Sequence, residues 1–198
     1  MVRFIFCTLL CSLTFFSSTA QKTKRSAADH WADSVYEALS EEDRVGQLFM
    51  VAAYSNVNSR ERQDIINLIR EHKPGGILFM QGGPVRQVQN YNRFQQESDV
   101  PLLVGMDLEW GLSMRLDSTT TFPRQMTLGA VQDDSLIQSM GREIARQMKL
   151  VGAHINFAPV ADINNNPKNP VIGSRSFGDN KELVASKAMA YARAVSYT

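Results

Sequence analysis

An α/β fold built on a parallel sheet is what this sequence predicts, and three observations carry the prediction. Short apolar, strand-like runs alternate with longer amphipathic stretches of helical period. Gly and Pro stand mostly at the joints between these runs. Both long loops follow the C-terminal ends of strand-like runs, the side of a parallel sheet on which ligand sites are built.

Taken in order, Ser40 with Asp43 three residues on predicts a capped helix start, with Val45, Leu48 and Phe49 as the apolar face. Met50 to Ala53 is a short apolar run. Ser59 to His72 is amphipathic, with Ile65, Leu68 and Ile69 on one side and Arg60, Arg62 and Arg70 elsewhere. Pro74-Gly75-Gly76 ends it, and Ile77 to Met80 reads as a buried strand. A helix over Pro84 to Ser98 has its Pro in the first turn, where the missing N–H costs nothing, and Pro101 to Met106 is the next strand.

Further on, Asp133 or Asp134 caps a helix whose stripe is Ile137, Met140, Ile144 and Met148. Gly152 stops it, Ala153 to Phe157 is a strand, and a last helix from about Asn180 carries Val184, Ala188, Tyr191 and Val195 on one face. About four βα units result. They suit either a small doubly wound domain or half of a (β/α)8 barrel, a whole barrel taking about 250 residues. Length favours the first, and the position of the two long loops favours the second.

Residues 1–20 read as a signal peptide. Arg3 gives a positive start, Phe4 to Phe16 is almost wholly apolar, and Ser18-Thr19-Ala20 offers small residues at the cleavage point. The apolar run is shorter than the about 20 residues a spanning helix needs, so no stable membrane span is expected, with an uncleaved anchor as the alternative. The protein is then secreted or periplasmic. Cys7 and Cys11 both lie in this segment, so the mature chain is expected to lack disulfides, Cys–metal sites and Cys nucleophiles. Lipidation at Cys11 would meet a bulky Leu10 where such signals prefer a small residue. Residues 21–28 read as a polar linker and residues 29–198 as the folded part.

The 198 residues are 43% hydrophobic and 21% charged, with 21 Lys plus Arg against 20 Asp plus Glu. A net charge of +1 gives no electrostatic reason to expect nucleic acid or an anionic membrane as partner. No motif suggests a metal, nucleotide or flavin, and no cofactor is expected.

The first long loop, GMDLEWGLSMRL (Gly105 to Leu116), places Asp107 where a buried strand emerges, followed by Glu109, Trp110 and, eight residues after Asp107, Arg115. Carboxylates accept hydrogen bonds from sugar hydroxyls, and an indole covers the apolar face of a pyranose. The same residues equally suit a turn in which Asp107 caps the chain and pairs with Arg115. The second, NFAPVADINNNPKNPVIGSRSFGDN (Asn156 to Asn180), is irregular backbone rich in Asn, Pro and Gly. Asp162 follows a strand end, and Arg175 stands between two serines and before Phe177, a candidate anchor. Arg175 either presents planar donors to a substrate or binds backbone carbonyls within its loop.

Together the two loops resemble the N-terminal domain of family 3 glycoside hydrolases. The resemblance runs from about Leu39 to Ala190 and includes PGGILFMQGGP (Pro74 to Pro84). It is closest to the β-N-acetylhexosaminidase branch, in which an Asp, an Arg eight residues later and an Arg in an R-S-F context contact the sugar. It therefore implies a (β/α)8 TIM-type barrel of which this is the N-terminal portion. It also implies hydrolysis of terminal N-acetylhexosamine, with Asp107, Arg115 and Arg175 binding the substrate. The sequence departs from the pattern at Leu108 and Trp110, where many members carry Gln and Gly.

In that family the acid/base His and the nucleophilic Asp come later, so the resemblance places both beyond Thr198 and no catalytic residue within these 198. His30, His72 and His154 read as structural or solvated. The chain by itself is expected to be inactive and, with two strand edges unpaired, to fold poorly alone. A β-glucosidase-type member and a non-catalytic sugar-binding fragment are the alternatives.

Overall fold

The computed structural model describes residues 25–196. The expected signal peptide, with Cys7 and Cys11, and residues 21–24 lie outside the described residues. The described chain opens with helix α1 (Ala27–Ala38), which takes in Ala27 and Ala28 from the segment read as linker. A reciprocal cap starts it: Ser26 Oγ accepts from the Asp29 N–H (3.2 Å), and the Asp29 carboxylate accepts from the Ser26 N–H (2.7 Å). Ser40 caps helix α2 (Glu41–Gly46) as its spacing predicts, accepting from the Asp43 N–H (3.1 Å). The expected apolar face does not form. The helix stops at Gly46, ahead of Leu48 and Phe49, and both these residues and Val45 are largely exposed.

Four strands then alternate with helices: β1 (Met50–Ala53), α3 (Ser59–His72), β2 (Gly76–Phe79), α4 (Pro84–Gln96), β3 (Leu103–Met106), the short α5 (Gln125–Gly129), α6 (Asp134–Leu150), β4 (Ile155–Asn156) and α7 (Lys181–Ser196). Asn58 and Asp133 cap α3 and α6 through side-chain oxygens, and Pro84 opens α4. The last strand is shorter than the sequence run, two residues instead of five, flanked by His154 and Phe157, whose N–H groups donate to the Val104 and Met106 carbonyls of β3 (2.8 and 2.9 Å).

All four strands are parallel and lie in the order β1-β2-β3-β4. That order decides between the two architectures. Right-handed crossovers between neighbouring strands put every helix on the same face, whereas a doubly wound sheet reverses its order and carries helices on both. The singly wound sheet is the (β/α)8 barrel pattern, carried through four βα units.

The two faces of the sheet differ accordingly. Ile77, Phe79, Val104 and Met106 point toward the helices and are at most 1% exposed, with Phe79 stacked on Phe94 of α4 at 6.3 Å. The α6 stripe (Ile137, Met140, Ile144, Met148) is buried as its spacing predicts, and Val184 and Tyr191 of α7 complete the layer. The opposite, inward face carries Met50, Ala52, Leu78, Leu103, Ile155 and Phe157. Leu103 is 52% and Phe157 50% exposed. Gly105 belongs to this face for steric reasons: a Cβ there would lie 2.6 Å from the Phe157 ring. Tightly packed outside and open inside, the sheet directs whatever emerges from the C-terminal ends of β3 and β4 toward the barrel interior.

Candidate functional site

Asp107 is the first residue past β3, and strand alternation turns it to the inward face, away from Met106. Leu108 turns the other way and is fully buried. Its N–H donates to Asn156 Oδ1 (3.1 Å), and its carbonyl accepts from the Tyr191 hydroxyl (2.8 Å). Asn156 Nδ2 donates to the same Tyr191 oxygen (3.0 Å), so one closed set of bonds ties β3, β4 and α7 at the base of the site. Burial pushes the Tyr191 phenol well above its ordinary value and keeps it a donor.

Beyond Leu108 a 3-10 turn over Leu112–Met114 folds the chain back, with Leu112 and Leu116 buried beneath it. The turn brings Arg115 against Asp107, and the guanidinium Nη2 donates to Asp107 Oδ2. The pair is partly exposed, and Arg115 Nε is buried without an acceptor.

Glu109 is 2% exposed, and its carboxylate receives Arg175 in a fork: Nη2 to Oε1 at 2.7 Å, and Nε to Oε1 and Oε2 at 3.0 and 3.1 Å. Those bonds hold the Arg175 guanidinium charged beyond its ordinary range, with Asp107 and Asp162 adding smaller attractions. Arg175 Nη1 also reaches the Val171 carbonyl at 3.4 Å. Arg175 is thus anchored within the protein, chiefly by a carboxylate from the other loop and less by a backbone carbonyl of its own loop. Trp110 has Arg124 over its ring, 4.4 Å from guanidinium carbon to centroid. A cation therefore covers one indole face that the sequence reading offered to a sugar.

The second loop is held mostly by its own side chains. Asn169 Oδ1 accepts from the Val171 and Ile172 N–H groups (2.9 and 3.2 Å). Ser176 Oγ donates to the Asp162 carbonyl (2.6 Å) and accepts from the Gly178 N–H (3.2 Å). Phe177 is the anchor the sequence suggests, 1% exposed in the core. Its carbonyl lies so close to α5 that a Cβ at Gly129 would sit 1.8 Å from it.

The structure therefore brings Asp107, Arg115 and Arg175 to one end of the sheet, with Asp162 close enough to act on the Arg175 charge. Sequence reasoning missed that Glu109 is the buried partner of Arg175, and that Asn156 with Tyr191 supports the first loop. The Glu109 partner lies 66 residues away, and only pairing of β3 with β4 makes them neighbours. His30, His72 and His154 stand apart from this cluster, and His154 Nδ1 accepts the Val104 N–H at the start of the β3–β4 ladder (3.0 Å). Among the described residues, no group of three or more His, Cys, Asp or Glu is placed to hold a metal ion.

Fold and site together define a parallel β/α-barrel protein with two arginine–carboxylate pairs past the C-terminal ends of its strands. The chain belongs to glycosyl hydrolase family 3: the model of that family's N-terminal domain matches residues 40–197. It is 31% identical over 162 residues to the β-hexosaminidase LpqI of Mycobacterium tuberculosis, covering 78% of this chain and 39% of that protein. It is 26% identical over 165 residues to a β-N-acetylglucosaminidase/β-glucosidase of Cellulomonas fimi, covering 83% of this chain and 28% of that one. The solved family 3 β-N-acetylglucosaminidase of Paenibacillus sp. str. FPU-7 superimposes with a TM-score of 0.72 at 35% identity, over 81% of this chain and 31% of its own. The chain thus spans between about a quarter and two fifths of the length of these relatives.

Proposed function

We propose that this domain supplies the sugar-holding side of an active site that hydrolyses terminal β-linked N-acetylhexosamine, in an exported protein. Asp107, Arg115 and Arg175 hold the substrate, and the reacting acid/base and nucleophile are contributed from outside these 198 residues. The observation that carries this is the set of pairs at the strand ends. Asp107–Arg115 and Glu109–Arg175 lie together past the C-terminal ends of β3 and β4, the first pair on a loop pinned from beneath, and Arg115 Nε has no acceptor. A neutral sugar offers hydroxyl and amide groups that bond to both members of such pairs without a change in net charge. Export rests on the apolar segment of residues 1–20, together with the fact that no helix among the described residues is long and apolar enough to cross a membrane.

A β-glucoside is the second reading, favoured by the double activity in the name of the Cellulomonas fimi relative. The test is kcat/KM of the whole protein on an aryl N-acetyl-β-glucosaminide and on the matching aryl β-glucoside. Preference for the acetamido sugar is expected. A reversed preference moves the protein to the second reading, and turnover of neither removes the proposal.

A further inference from the structure

On the helical side of the fold, away from the inward face, α3, α4 and the β1–α3 loop line an open cavity of about 540 Å³. It is lined by Arg62, Arg86, Arg93, Asn90, Asn56 and Ser55 among others, and none of its lining residues is acidic. Two of its donors have nowhere to go. Asn90 is 4% exposed, yet its Nδ2 has no hydrogen-bond acceptor, and Arg62 Nε is likewise buried and unpaired. A buried donor left without an acceptor costs about 1–3 kcal/mol in ordinary proteins, more when it is charged, so folds rarely keep two around one groove without use. Arg86 is paired at the rim with Asp117 (2.8 Å), while Arg93 has no acidic side chain in ion-pair contact among the described residues.

We infer that this cavity binds an oxyanion of the phosphate or sulfate class, carried as an ester on a molecule about the size of a hexose. The unpaired groups are all donors and the lining charge is positive, which together call for an acceptor with negative charge. The volume lies within the range of small-molecule sites and exceeds what a bare anion fills. The cavity is separate from the Asp107–Arg175 cluster. The two adjoin through Asp117, whose N–H donates to the Gly82 carbonyl (2.8 Å), and through Gly82, whose N–H donates to the Arg115 carbonyl (3.1 Å).

Calorimetric titration of the whole protein with inorganic phosphate and with glucose 6-phosphate tests this. Saturable binding of both is expected, tighter for the ester. Arg62→Gln weakens each by about tenfold, the worth of one charge-assisted bond. Asn90→Leu removes an unpaired polar group, so it should melt at or above the wild-type temperature without ligand while losing phosphate binding. Arg175→Ala should leave both affinities unchanged. A bare phosphate that binds as tightly as the ester replaces the ester-borne ligand with free phosphate. Failure of both probes to bind overturns the site, as does wild-type affinity in folded Arg62→Gln and Asn90→Leu. Binding lost only in Arg175→Ala overturns it too, because the anion then sits among the sugar-holding residues.

Discussion

The loops after β3 and β4 are held in place by different means. The first is pinned from beneath: Leu108, Leu112 and Leu116 are buried, and Asn156 and Tyr191 satisfy both backbone groups of Leu108. The second is mostly exposed between Phe157 and Ser174 and folds on itself through Asn and Ser side chains. It reaches the core at Ala158 near its start and at Ser176 and Phe177 near its end, and reaches the first loop through Arg175. The difference teaches that Asp107 and Arg115 are preorganised by the fold, while the position of Arg175 depends on a few separable anchors.

Removing those anchors one at a time sharpens the contrast. Phe177→Ala empties a fully buried ring site and should cost about 3–5 kcal/mol in chemical denaturation. It should also raise hydrogen exchange across residues 160–178 more than across 107–116. Equal exchange in both loops would mean that they are held as one unit. Arg175→Ala strands the buried Glu109 carboxylate and should cost about 3 kcal/mol of stability. Glu109→Leu added to it should recover part of that loss, and a double mutant no better than the single would show that the carboxylate is not stranded. Tyr191→Phe keeps the packing but leaves the Asn156 Nδ2 without its acceptor and the Leu108 carbonyl with the Gly111 N–H alone (3.0 Å), at about 1–2 kcal/mol. Its effect should appear in exchange of the first loop and not of the second.

The smallest effect lies away from both loops. On the exposed face of α6, Arg146 and Gln147 hold Glu143 down to about 2 from an ordinary 4.5. A carboxylate depressed on folding contributes stability that is complete above about 4.5 and fades as pH falls toward 2. Glu143→Gln should therefore narrow the gap from wild type between pH 5 and pH 2. A gap that stays constant over that window removes Glu143 as a contributor.

Much of this was legible in the sequence because it is local. Caps at Ser40 and Asp133, the α6 stripe and the Pro74-Gly75-Gly76 break each depend on residues a few positions apart. Asp107 and Arg115 are readable for the same reason, eight residues apart within one turn. Three things were not local. The choice of a singly wound sheet needs the strand order. Recognition of Glu109 as the partner of Arg175 needs β3 beside β4. Exposure of Leu48 and Phe49 needs the point at which α2 stops, which apolar spacing alone does not set. Helix α1 went unread because its residues are exposed and its Ser26–Asp29 cap sits in a polar stretch resembling a linker.

The most direct test of the proposed sugar-holding site is Asp107→Asn in the whole protein, since the substitution keeps the shape of the side chain while removing its charge and turning one acceptor oxygen into a donor. The measurement is kcat/KM on the aryl N-acetyl-β-glucosaminide, alongside a melting curve to confirm that the fold is intact. A loss of about a hundred- to a thousandfold with little change in melting is expected, corresponding to about 3–4 kcal/mol of lost transition-state binding. A well-folded Asp107→Asn protein with wild-type kcat/KM would show that the Asp107–Arg115 pair is a structural turn and that the sugar is held elsewhere.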